Sequence, residues 1–96
     1  MNIKSIKIRE IDSCTGIRIE LHNANLVLIV GSKGYIMCSY LNMETADRLE
    51  DVACIVTGVK TIRDTIRSRI ISVSKRAREL GIEEGMIVKD VLKLLS

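Results

Sequence analysis

Apolar and polar residues alternate from Ile3 to Ile11 (IKSIKIREI) and again from Gly16 to Asn23 (GIRIELHN). A period of two is the signature of strands with one wet face, and the intervening DSCTG suits a turn between antiparallel partners. Leu26 to Val30 (LVLIV) is an unbroken apolar run, followed by Gly31-Ser32-Lys33-Gly34 and a second apolar stretch, YIMC. This predicts a second hairpin whose first strand is buried on both faces. Four consecutive strands make an antiparallel meander.

Beyond Cys38 the period changes. Met43, Ala46 and Leu49 recur at helical spacing, with Asn42 as N-cap and Glu44 and Asp47 near the positive end of the helix. Val52 to Gly58 (VACIVTG) returns to a continuous apolar run, a fifth strand reached through that helix as crossover. KTIRDTIRSRI predicts a short helix capped by Thr61. SVSKRARELG predicts another, with Val73, Ala77 and Leu80 on one stripe and Gly81 as its left-handed stop. In the last helix Val88, Val91, Leu92 and Leu95 share a face. No linker, repeat or low-complexity segment interrupts the 96 residues. The expected fold is one α+β domain over 1–96: a mainly antiparallel sheet of about five strands, opening with the meander, packed against helices from the C-terminal half.

Composition narrows the function classes. The hydrophobic share is 47% with aromatics at 2%, so aliphatic side chains must form the core. A domain this short gains by assembling with other copies, and a homo-oligomer is expected. The longest apolar run is far below the roughly 20 residues of a membrane helix. The N-terminus carries no signal-like apolar core, so no membrane role is expected. Cys14, Cys38 and Cys54 are odd in number and widely spaced, which argues against a disulfide framework and for a reducing, cytoplasmic setting. There is no CxxC and a single histidine, His22, so no zinc-ligand spacing occurs and no metal is expected. The cofactor, if any, is unknown from the sequence.

Three blocks carry a family resemblance: GYIMCSYLN, GVKTIRD and RARELGIEEGMIVKDVL. Together they resemble the YunC-like family of small uncharacterised domains, domain-of-unknown-function family 1805, from about Leu26 to Leu95. The matching positions are Gly34, Ile36, Cys38 and Leu41; Gly58, Val59, Lys60, Thr61 and Ile62; and Ala77, Leu80, Gly81, Gly85, Met86 and Leu92. One departure stands out. Where the family pattern favours glycine after the cysteine, this chain has Ser39, which counts against a close backbone approach to a ligand there. The resemblance implies the fold and no activity.

Two junctions are candidates for chemistry. Cys38 lies where a strand gives way to a helix, a location that can stabilise a thiolate. A nucleophile also needs a base, however, and His22 falls on the polar side of its alternating strand; a small buried corner residue is the simpler reading. In GVKT (Gly58 to Thr61) backbone N–H groups and Lys60 can hold a phosphate or carboxylate. The P-loop pattern is absent, and a turn at Gly58 with Thr61 as cap also explains the segment. Gly31 and Gly34 are better read as a hairpin turn than as a phosphate cradle.

Charge is uneven on a chain of net +3. Lys60 to Arg78 holds seven basic residues and one acid, while Glu44, Asp47, Glu50 and Asp51 cluster the opposite sign. A solvated face that assists assembly is the simplest account. Nucleic-acid binding is disfavoured because no aromatic stacking residues accompany the basic segment. The sequence therefore points to a homo-oligomeric binding module for a small anionic ligand or a protein partner, with Cys38, Asn42, Gly58, Lys60 and Thr61 as candidate ligand-binding residues. The alternatives are a small enzyme using Cys38, and nucleic-acid binding through residues 60–78. If the strands that end near Cys38 and Gly58 are parallel neighbours, both junctions share one edge of the sheet.

Overall fold

The computed structural model describes residues 6–96, so positions 3–5 of the first predicted strand lie outside the described residues. Its order is β1 (Ile6–Ile11), β2 (Cys14–Glu20), β3 (Asn25–Val30), β4 (Tyr35–Met37), α1 (Met43–Arg48), β5 (Ala53–Ile55), α2 (Ile62–Arg67), β6 (Ser72–Val73), α3 (Lys75–Glu79) and α4 (Val88–Leu95). The six strands form one sheet in sequence order. All pairs are antiparallel except β4 and β5, which run parallel with α1 in the crossover.

Local chemistry sets most boundaries. Asp12 and Ser13 both take positive φ (48° and 65°), so the first hairpin closes through two left-handed residues whose twist matches that of the strands; Cys14 to Gly16 are already in β2. Gly31 is the close-approach glycine of the second hairpin. A Cβ there would run into the Leu95 carbonyl, and that carbonyl accepts the Lys33 N–H at 2.8 Å. The end of α4 is thereby tied to the β3–β4 turn. Asn42 caps α1 by accepting the Thr45 N–H at 3.2 Å, and Thr61 caps α2 through the Asp64 N–H at 3.0 Å.

The helix predicted over Ser72–Gly81 is shorter than expected, and the sheet gains a sixth strand. Ser72 and Val73 pair with Ile55 and Cys54, and Ser74 turns the chain by capping α3. The Val73–Ala77–Leu80 stripe therefore breaks: Val73 lies in the sheet and Leu80 is 43% exposed. The fifth strand also contracts to three residues. Val56 still extends the ladder through its N–H to the Met37 carbonyl, before Thr57 and Gly58 leave the sheet.

The main core lies between the sheet and α2, α3 and α4. Cys14, Val27, Ile29, Ile36, Cys54 and Val73 come from the strands, and Ile62, Ala77, Val88, Val91, Leu92 and Leu95 from the helices. The predicted α4 face is thus the buried one. The run LVLIV is not buried on both sides: Val27 and Ile29 enter the core, whereas Leu26 and Leu28 are half-buried and Val30 is exposed. β1 and β2 depart further from expectation. Their polar positions Arg9, Arg18 and Glu20 share the register of core-facing Gly16, Val27 and Ile29, and Ile6, Ile8, Ile17 and Ile19 occupy the opposite face. Arg18 pairs with Glu20 at 3.1 Å, and its Nε finds no hydrogen-bond partner among the described residues. Among those residues no helix is long and apolar enough to cross a membrane.

Candidate functional site

Because β4 and β5 are parallel, their C-terminal ends emerge side by side. β3 begins at that same end, being antiparallel to β4. Three chain segments therefore surround one cleft of about 610 Å3: the β2–β3 loop with His22, the stretch after β4 with Cys38 and Tyr40, and the stretch after β5 with Gly58, Val59 and Lys60. The volume falls within the range of small-molecule sites, roughly 300–1,000 Å3. The edge also follows the rule that ligands bind outside the carboxyl ends of parallel strands.

Cys38 is 6% exposed and continues the β3–β4 ladder, its N–H donating to the Val27 carbonyl at 3.1 Å. In return the Val27 N–H donates to its sulfur at 3.5 Å. Cys14 and Cys54 are fully buried in the core instead, and burial pushes Cys14 up and Cys54 up to about 12. Cys38 alone among the three borders the cleft.

Gly58 takes a φ of +71° with open space around its α-carbon, which turns the chain out of β5 and presents Val59 and Lys60 to the cleft. Lys60 is held by its backbone at both ends. Its carbonyl accepts from Asn25 Nδ2 at 2.7 Å, and its N–H donates to the Asp64 carboxylate at 3.2 Å. The chain's own carboxylate thus takes the N–H that an external anion would use, leaving the Lys60 ammonium, on an exposed side chain, as the cationic group this segment offers.

Of the five candidate residues, Cys38, Gly58 and Lys60 come together around the cleft. Asn42 and Thr61 do not line it, and their side chains are engaged as helix caps. His22, Asn25 and Tyr40 line the cleft without having been singled out as ligand-binding residues. His22 is exposed in the loop after β2. An antiparallel meander must place the β2–β3 loop at the end where β4 finishes, so strand order carried that signal.

The basic segment is partly neutralised within the chain. Arg78 grips Glu84 with contacts of 2.7 and 3.0 Å; this hydrogen bonding raises Arg78 and lowers Glu84, keeping both charged. Arg76 meets Glu79 at 3.5 Å, and Arg69 donates to the Gly85 carbonyl at 2.8 Å. Arg63 and Arg67 line a separate groove with Arg9 and Lys89, and Lys60 is not part of its lining.

Comparison with known proteins places this architecture. Residues 37–95 match the model of a family described as a domain of unknown function, DUF1805. The chain is 30% identical over 82 residues to the uncharacterized protein YunC of Bacillus subtilis (strain 168), covering 81% of each. It is also similar to the crystal structure of a protein of unknown function, TA1206, from Thermoplasma acidophilum, with 38% identity, a TM-score of 0.88 and coverage of 96% of this chain and 92% of that one. The matched family span takes in Cys38, Gly58 and Lys60 and begins after the loop that carries His22. The chain belongs to the DUF1805 family.

Proposed function

We propose that this protein is a cytoplasmic, homo-oligomeric binding module that takes a small anionic ligand in the cleft between Cys38 and Lys60. The observation that carries the reading is the meeting of three segments, distant in sequence, at the ends of the two parallel strands. Lys60 supplies charge and His22 a ring that can donate a hydrogen bond, while Leu21, Ala24 and Val59 offer apolar wall to the rest of the ligand. Three unpaired cysteines support the reducing compartment.

Thermal-shift measurements with a panel of phosphorylated and carboxylated metabolites test it. A ligand at 100 times its Kd adds about 2.7 kcal/mol of stability. Lys60→Ala is expected to abolish the shift while leaving the unliganded Tm within about 2 °C, because its side chain is exposed. A shift that survives Lys60→Ala and His22→Ala together would place the ligand elsewhere.

A second reading, a thiol-dependent enzyme, is favoured by Cys38 alone bordering the cleft. In it Cys38 is the nucleophile and His22 the base. It requires His22 to approach the sulfur, and loss of any turnover in both Cys38→Ser and His22→Ala would support it.

A further inference from the structure

The side of the sheet opposite the main core carries a continuous aliphatic field. Cross-strand pairing aligns Ile8, Ile17, Leu28, Met37 and Ile55 in one row across five strands, with Ile6, Ile19 and Leu26 beside it. Ile8 is 68% exposed, Ile6 53% and Val30, on the same face, 37%; the others are half-buried by their neighbours alone. α1 packs against β5, where Ala46 and Ala53 are buried outside the main core, so it lies at one end of this field.

The polarity of β1 and β2 is the telling feature. Each strand alternates, and either face was available to meet the helices. The chain instead sets Arg9, Arg18 and Glu20 on the helix side, where Arg18 Nε has no hydrogen-bond partner among the described residues, and leaves Ile6, Ile8, Ile17 and Ile19 outside. A monomer would gain by the reverse arrangement, since one step of register exchanges the two faces. The arrangement makes physical sense when the outer face is also an interior.

We propose that this face is the contact surface for a second copy of the chain, two sheets packing face to face about a twofold axis. The proposal deepens the homo-oligomer part of the reading above and does not depend on the cleft. Two arguments select a second copy as the occupant. The first is charge. The chain carries 27 Lys, Arg, Asp and Glu residues, and a surface that packs on itself brings like charges together near its axis. Among the described strand positions of this face the only charged residue is Glu10, at the rim, where Thr15 Oγ1 donates to it at 2.9 Å. The second is area. With Ile8, Ile6 and Val30 exposed and six further aliphatic side chains half-buried, the patch is on the order of 500 Å2 per copy, hence about 1,000 Å2 for a pair, the lower bound for a specific interface. Facing sheets of β-branched side chains interdigitate about 10 Å apart, as in a sandwich.

Sedimentation equilibrium of the full chain, with methyl NMR in the presence of a soluble nitroxide, tests the proposal. Wild type is expected at twice the 10.7 kDa of one chain, with the Ile8, Ile17 and Ile19 methyl signals protected from broadening. Ile8→Lys, at a position too exposed to affect the monomer fold, and Leu28→Lys, at the centre of the row, are each expected to weaken self-association about 100-fold or more by burying an unpaired charge. Leu80→Lys, remote from this face, is expected to leave the mass unchanged. An oligomer whose Ile8 and Ile17 methyls broaden would overturn the inference and keep the homo-oligomer reading. A wild-type monomer would overturn both; its methyls, if protected, would assign the face to residues 1–5 of the same chain and, if broadened, to a different protein. None of these outcomes touches the Lys60 ligand test.

Discussion

Ser74→Ala probes the point where the parallel strand, the last edge strand and α3 are joined by one hydroxyl. Ser74 is fully buried. Its Oγ donates to the Asp51 carbonyl at 2.7 Å and accepts the N–H of Ala53 at 3.0 Å and of Ala77 at 3.1 Å. The Ala77 bond is the N-cap of α3, worth about 1 kcal/mol. The Ala53 bond satisfies a donor at the start of β5, and orphaning a buried donor costs roughly 1–3 kcal/mol. A hydroxyl leaves too small a space for a replacement water. The expected loss is therefore about 3 kcal/mol, a fall in Tm of roughly 12–24 °C for a domain of this size. Thr61→Ala removes the same kind of cap from α2, but its Asp64 N–H is exposed and rehydrates, so about 1 kcal/mol is expected there. Urea unfolding of both variants at matched protein concentration supplies the comparison. A Ser74→Ala cost no larger than that of Thr61→Ala would refute the idea that one buried hydroxyl holds these elements together.

Three further outcomes follow from the same structure. Gly31→Val is expected to cost at least about 2 kcal/mol in urea unfolding, since any Cβ meets the Leu95 carbonyl; a neutral result would mean that α4 does not close on the hairpin. In alkali, Tyr35 is held up to about 12 by burial and by its bond to Asp51, and Cys54 up to about 12 by burial. A raised folded pKa contributes stability that is complete below the unfolded value and disappears through the folded one, so stability should decline from about pH 9 to about pH 12. Tyr35→Phe should flatten the part of that decline above about pH 10, and an unchanged pH profile would contradict it. Brief treatment of native protein with iodoacetamide should modify Cys38 ahead of Cys14 and Cys54, as read by peptide mass; equal labelling would remove the distinction between cleft and core thiols.

What the sequence made legible was mostly local. Asn42 and Thr61 announce helix starts because a short polar side chain next to an apolar stripe has one favourable use, and Gly81, at φ +91°, stops α3 for the equally local reason that a left-handed residue is needed. The α4 stripe is legible because its period is set by the helix itself. The two-residue β6 was hidden: Val73 fits a helical stripe as well as a strand, and only the partner β5 and the Ser74 hydroxyl decide between them. The orientation of β1 and β2 was hidden for a deeper reason. Alternation says that a strand has two unlike faces and does not say which one meets the helices, and here both apolar sides of the sheet were used. For the cleft, strand-to-helix junctions located Cys38, Gly58 and Lys60. Strand parity assigned His22 to solvent, and it is exposed; the connectivity of the meander adds that its loop shares the sheet end of the cleft. Asn42 and Thr61 stand outside the cleft lining, where their side-chain oxygens accept as helix caps.

The proposed anion site, the cleft at the ends of β4 and β5 with Lys60 as its cation, is open to a direct test. Native mass spectrometry of the protein purified gently from its own cells, beside the Lys60→Ala variant prepared in the same way, tests it most directly. Wild type is expected as an oligomer whose mass exceeds that of the bare chains by one small anionic molecule per subunit, with the excess lost in Lys60→Ala. Bare wild-type chains, or an excess mass that Lys60→Ala retains, would contradict it.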